Sequence, residues 1–229
     1  MKTKTAVRLV SHLALAAAFV TLAGCASRNY EKGAATSSNL SESATKIGDG
    51  RVKINNALAA LDDLVDNPHG DLVPKVKKYN DAVSDLETTA HEVGAKVRGM
   101  SASGKEYFQN WDQQIAQIKN EDIKNRSTER KAEVQKQLTD VKKSYTQAKM
   151  DFTPFMTDLK DIQTALNTDL TSAGIAAIKS TRDKAKADSV PLQKSIDQLI
   201  TEFRELGVAM ASSAPPAQSA PKQEANEAK

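Results

Sequence analysis

Apolar residues along most of this chain recur at steps of four and three. The clearest run is Leu72, Val76, Tyr79, Val83, Leu86, Ala90, Val93, Val97 and Met100. Such steps return to one face of an α-helix, whereas a strand needs a step of two. The series continues through Gly104, Tyr107, Trp111, Ile115 and Ile118 with one extra step of four. That extra step lets the stripe keep pace with the helical turn. A second run is as regular: Val134, Leu138, Val141, Tyr145, Ala148, Phe152, Phe155, Leu159, Ile162 and Leu166. A third runs from Ile175 to Met210 through Ile178, Arg182, Ala185, Ser189, Leu192, Ile196, Leu199, Phe203 and Leu206. The fourth is shorter: Ala44, Ile47, Arg51, Ile54, Leu58, Leu61 and Val65.

Turn signals separate the stripes. Asp66-Asn67-Pro68-His69-Gly70-Asp71 carries Asn-Pro and Gly breakers. Asn120-Glu121-Asp122 closes the second helix, with Ser127 as a cap for the third; Thr171 or Ser172 caps the fourth. The spacing predicts helices over 40–66, 71–119, 127–167 and 172–211. Short loops make sequential helices antiparallel neighbours. The expected fold is all-α: an elongated antiparallel up-and-down helical bundle, or coiled coil, of three long helices and one shorter. Pro154 and Pro191 fall inside helices and are expected to kink them. Gly94, Gly99 and Gly104 lie on or beside the second stripe and permit close helix approach.

The ends of the chain lack this periodicity. Residues 1–24 combine three bases, no acid and an apolar run from Leu13 to Leu22, which reads as a signal peptide. Leu22-Ala23-Gly24-Cys25 resembles a bacterial lipobox, in which Leu22, Ala23 and Gly24 are read by the signal peptidase. The resemblance implies cleavage before Cys25 and acylation of that cysteine, the only one in the chain. Two or more acyl chains give stable membrane attachment. Residue 26 is Ala, not Asp, which by resemblance to Gram-negative lipoproteins favours the outer membrane. Residues 25–39 are small and polar and read as a flexible tether; residues 212–229 carry three prolines and read as a disordered tail. The domain order is therefore signal peptide 1–24, tether 25–39, bundle 40–211 and tail 212–229.

Charge alters the picture little. The three bases of the first 24 residues account for the whole formal charge of +3, so the remainder is neutral and nucleic-acid binding is not expected. Aromatics make up 4% and glycines number 10, too few for a large β-sandwich or barrel. His69 sits in a turn, and His91 follows Glu87 by four residues away from the stripe, so no metal site is expected. There is no phosphate-binding loop, no nucleophile elbow and no zinc-protease motif. The chain reads as non-enzymatic and without cofactor. Lys75, Lys77 and Lys78 open the second helix, and further bases are mixed with acids on the third, a pattern of solvated faces or of contact with anionic envelope polymer. The terminal Lys229 resembles the lysine that ends Braun-type lipoproteins, which implies a link to peptidoglycan; an ordinary chain end is the other reading.

From Arg51 to Met210 the chain resembles a group of bacterial lipoproteins that carry a domain of unknown function. The stretches that carry the resemblance are Tyr107-Phe108-Gln109-Asn110-Trp111, Phe152-Thr153-Pro154-Phe155 and Asn167-Thr168-Asp169-Leu170-Thr171-Ser172-Ala173-Gly174-Ile175. The resemblance implies an all-helical secreted protein and supplies no catalytic residues. The functional expectation is a lipid-anchored periplasmic structural or interaction protein that presents a helical rod at the cell envelope. Its partners would be the membrane, through acyl chains on Cys25, and a protein or a second copy along the helix faces. The alternative is a binding module for an anionic envelope component, peptidoglycan or lipid headgroups.

Overall fold

The computed structural model describes the backbone of residues 23–211 and side chains from residue 36 onward. Five helices follow one another: α1 Ala23–Asp66, α2 Val73–Ile115, α3 Glu121–Thr168, α4 Ser172–Ala177 and α5 Lys179–Ala211. No strand occurs among the described residues. The four long helices form an all-α bundle, α1 packing on α2 and α5, and α3 on α5 and α2. Passing around the bundle, the order is thus α1, α2, α3, α5. At 1.5 Å per residue the longest helix, α3 with 48 residues, spans about 70 Å.

The apolar stripes face the centre. Tyr79, Phe155, Leu159, Leu192, Leu199 and Phe203 are almost wholly buried, each contributing about 1.5–3 kcal/mol over exposure. Ion pairs lock the antiparallel register of α1 on α2. Glu42–Lys96 (2.8 Å), Lys46–Glu92 (2.7 Å) and Lys53–Asp85 (2.7 Å) flank that seam, the last two pairs a heptad apart. Arg51–Asp197 and Lys186–Asp62 (2.9 Å) do the same for α1 on α5.

Several boundaries differ from those the sequence predicts. The first helix is not the short one: α1 has 44 residues against 43 in α2, and α5 is the shorter partner with 33. Residues 26–39, expected as a tether, lie within α1. The physical reason shows in its described side chains. Leu40 is buried, and the Ser37 hydroxyl donates to the Gly207 carbonyl of α5 (3.0 Å), so from residue 37 onward the helix has a partner to lie on. Arg51, placed on the fourth stripe, is exposed; Ala57, Ala60 and Leu64 are buried instead, because α1 is flanked by two helices and buries a wider face.

Helix α3 starts at Glu121, not at Ser127. Asn120 caps it by accepting from the Ile123 amide (3.1 Å), and Glu121 and Asp122 complement the positive end of the helix. Thr171 caps α4 as expected, accepting from the Gly174 amide (3.3 Å). A Cβ at Gly174 would stand 2.1 Å from the Asp169 carbonyl oxygen, so only glycine fits that turn. The fourth predicted helix is broken at Ile178 into α4 and α5. Both helices continue through Pro154 and Pro191. Each proline faces solvent, as do Met150 and Ala187 one turn earlier, so the carbonyls left without an amide partner lie toward water.

Candidate functional site

Of the residues expected to matter, Ala23, Gly24 and Cys25 form the opening turn of α1; Leu22 and Lys229 lie outside the described residues. The signal peptide through Leu22 and the tail from Ser212 lie outside them as well. The three lysines at the start of α2 do not form a cationic patch. Lys75 folds back on the end of α1, donating to the carbonyls of Asp63 (3.4 Å) and Asn67 (3.0 Å) and pairing with Asp63 (3.3 Å). A cation there meets the negative end of the α1 dipole. The same lysine holds the Asp63 carboxyl below its ordinary pKa. Lys77 pairs with Asp81 one turn on (2.5 Å), and Lys78 is exposed. His91 is solvent-exposed with Nε2 4.0 Å from Glu87. No metal-binding cluster of His, Cys, Asp or Glu occurs among the described residues.

The aromatic cluster behaves differently from its place in the stripe. Tyr107 and Trp111 sit on the stripe, yet Phe108 is the buried member and the other two are half-buried. The rings pack edge-on between Tyr107 and its two partners at 5.6 and 5.5 Å, and Phe108 stacks on Trp111 at 6.4 Å. A strict alternation of fours and threes drifts against the 3.6-residue turn, and by this point the buried face has moved to Phe108, seven residues before buried Ile115. Beside the cluster a cavity of about 300 Å³ lies among all four long helices, with Gly104, Leu40, Leu138 and Met210 in its wall.

Two buried polar nodes tie the opposite end of the bundle. The Tyr79 hydroxyl donates to the Leu159 carbonyl (2.8 Å), and burial pushes its pKa up. Arg182 stands on the apolar stripe of α5, its side chain only 12% exposed, and meets Asp62 (2.9 Å), Asp66 (3.2 Å) and Asp183 (2.7 Å). For Asp62, burial raises the pKa, but hydrogen bonds from Lys186 and Arg182 outweigh it and leave the carboxyl below its ordinary value. Lys184 pairs with buried Asp158 (2.6 Å), which raises the lysine pKa.

The α2–α3 side is the loose one. Its stripe residues Tyr145 and Phe152 on α3 remain half-buried, because the residues that face them on α2, Ala90 and Gly94, are small. A Cβ at Gly94 would stand 3.0 Å from Tyr145 Oη and 3.3 Å from Arg98 Nη1, so the missing side chain makes room for both. The result is a surface groove of about 490 Å³, whose floor includes Phe152 and Met156 and whose rim includes Arg98, Lys149 and Lys160. Directly inside lies an apolar cavity of about 100 Å³. Ala90, Tyr145, Lys149 and Phe152 belong to the walls of both. Together they make an apolar slot under a cationic rim. Lys160 pairs with Glu87 (2.5 Å), while Arg98 and Lys149 have no carboxylate partner among the described residues.

Sequence reasoning placed the glycine and both aromatics on the stripes but did not bring them together. A run of small residues on one stripe facing aromatics on the next was the available signal. The Arg182 node was also missed, although a lone arginine on an apolar stripe calls for an acidic partner.

A family model for proteins of unknown function, DUF2959, matches residues 29–209. The chain belongs to the DUF2959 family. The match covers all four long helices, so the bundle is the family's own unit. No curated protein and no solved structure matches the chain.

Proposed function

We propose that this DUF2959 protein is a non-enzymatic, lipid-anchored envelope protein that presents its bundle as a rod for scaffolding or partner binding. The observation that carries the reading is the unbroken course of α1 from Ala23 to Asp66. Acyl chains on Cys25 would then hold the rod by a helix that runs straight into the bundle, so the rod's direction follows the anchor. The lipobox-like Leu22-Ala23-Gly24-Cys25 supports the anchor, and Ala26 supports the outer membrane facing the periplasm. Apart from Tyr79, which bonds a backbone carbonyl, the acids and bases described above are engaged in ion pairs or exposed, an arrangement suited to a structural surface. No helix among the described residues is long and apolar enough to cross a membrane. Replacing Cys25 by Ser moves the protein from the detergent phase to the aqueous phase in a phase-partition assay. Unchanged partition overturns the anchor.

The alternative, contact of Lys75, Lys77 and Lys78 with anionic envelope polymer, has less support, since Lys75 and Lys77 are already paired with Asp63 and Asp81. Retention on cell-wall sacculi or anionic vesicles at low ionic strength, lost in salt, would restore it. Crosslinking in intact cells identifies partners along the helix faces.

A further inference from the structure

We propose that the slot between α2 and α3 binds a single-chain amphiphile with an anionic head, a fatty-acid carboxylate or a lysophospholipid phosphate. The inference is independent of the acyl anchor.

Three observations converge. Helices α2 and α3 fail to close over Tyr145 and Phe152, since Ala90 and Gly94 offer no bulk to meet them. Well-packed cores leave few such gaps, and an apolar space of this kind stays dry and accepts apolar ligands. The groove and the inner cavity share one wall, so a rotation of Phe152 joins them into a slot that leads from solvent to the middle of the four helices. The inner cavity touches Ile54, Leu86, Leu192 and Leu199, side chains suited to a hydrocarbon chain and to nothing polar. The rim has the opposite character. Arg98 and Lys149 lack carboxylate partners among the described residues, and Tyr145 Oη shares the niche of Gly94 with the Arg98 guanidinium. Among the described residues lining the groove the one carboxylate, Glu87, pairs with Lys160. A guanidinium with a hydroxyl beside it recognises a carboxylate or phosphate through charge-assisted hydrogen bonds. The inner cavity of about 100 Å³ has room for the last few methylenes of one chain, and the rest of that chain lies along the groove. An apolar body with an anionic head therefore satisfies floor and rim together, whereas a neutral or cationic amphiphile leaves the rim unmatched.

The test is titration of the full chain carrying Cys25→Ser, which removes competing acyl groups, with cis-parinaric acid, a fatty acid whose own unbranched chain fluoresces and carries no bulky label. Saturable binding is expected, and displacement by laurate or by lysophosphatidylglycerol identifies which head the site takes. Gly94→Leu fills the niche and weakens the probe about tenfold or more. Arg98→Gln with Lys149→Gln, two exposed changes that leave the core intact, weaken it up to about fivefold per cation. The same double variant leaves binding of a neutral monoacylglycerol unchanged. Absence of saturable binding overturns the proposal. So does probe affinity that is unchanged in the Arg98/Lys149 double variant, or displacement by neither competitor.

Discussion

Helix α3 carries two seams on opposite flanks, one against α5 and one against α2, and they close to different depths. On the α5 side Phe155, Leu159 and Phe203 are wholly buried, and Lys184–Asp158 and Ser195–Asp151 bridge the flank. On the α2 side Tyr145 and Phe152 remain half-buried over Ala90 and Gly94. Both sets of α3 residues belong to one stripe of apolar positions, Val134 to Leu166. Periodicity selects the face that turns inward, while the bulk of the residues opposite decides whether that face is sealed.

Matched substitutions give the sharpest contrast. Phe203→Ala is expected to cost about 3–5 kcal/mol in urea unfolding, since it empties a sealed site. Phe152→Ala, on the looser flank, should cost about 1–2 kcal/mol. Equal costs would break the distinction between the seams. Polar ties follow the same order. Arg182→Met leaves three carboxylates facing a site with one cation fewer, and about 2 kcal/mol of stability is expected to go with it. Lys160→Met removes an exposed pair across the loose seam and should cost under about 1 kcal/mol. Thermal denaturation of the two variants ranks them, and the reverse order would refute the account.

Glycines of α2 refine the comparison further. Nothing lies within 4 Å of a Cβ at Gly99, so Gly99→Ala should stabilise by about 0.5–1 kcal/mol through helix propensity. At Gly104 the new atom would stand 2.8 Å from Leu138 Cδ2, and the same exchange should yield a smaller gain or a loss. A melting temperature raised equally in both would show that α2 sits farther from α3 than described.

The smallest effect concerns acid. The Asp62 carboxyl titrates below its ordinary value, so its contribution is present above the unfolded-state pKa and is lost as pH falls through the folded one. Stability should therefore decline below about pH 4, and Asp62→Asn should flatten that decline. An unchanged acid profile in Asp62→Asn would remove the carboxylate from the Arg182 node.

The helical class, the order of four main segments and the Thr171 cap were legible in the sequence, because stripe spacing and capping chemistry are local. The start of α1 was not. Residues 26–39 carry no apolar rhythm, and the contact described there, Ser37 with Gly207, is made to α5, more than a hundred residues away in the chain. The same holds for Ser127, a sound cap that lost to Asn120 once the acids behind it favoured an earlier start. The candidate slot was hidden for a related reason. Gly94 and Tyr145 each looked like ordinary stripe members, and only their opposition across two helices reveals a gap.

The contact of Ser37, about four turns into α1, with Gly207 runs the N-terminal part of α1 past the closing turns of α5, so both described termini lie at one pole. A circular permutant that splices Ala211 to Thr36 through a short linker and is cut between Asn67 and Leu72 would keep every neighbouring helix pair while exporting the new ends to the far pole. Handles attached there would let the molecule be gripped at either extremity, turning its length into a ruler for the space it occupies.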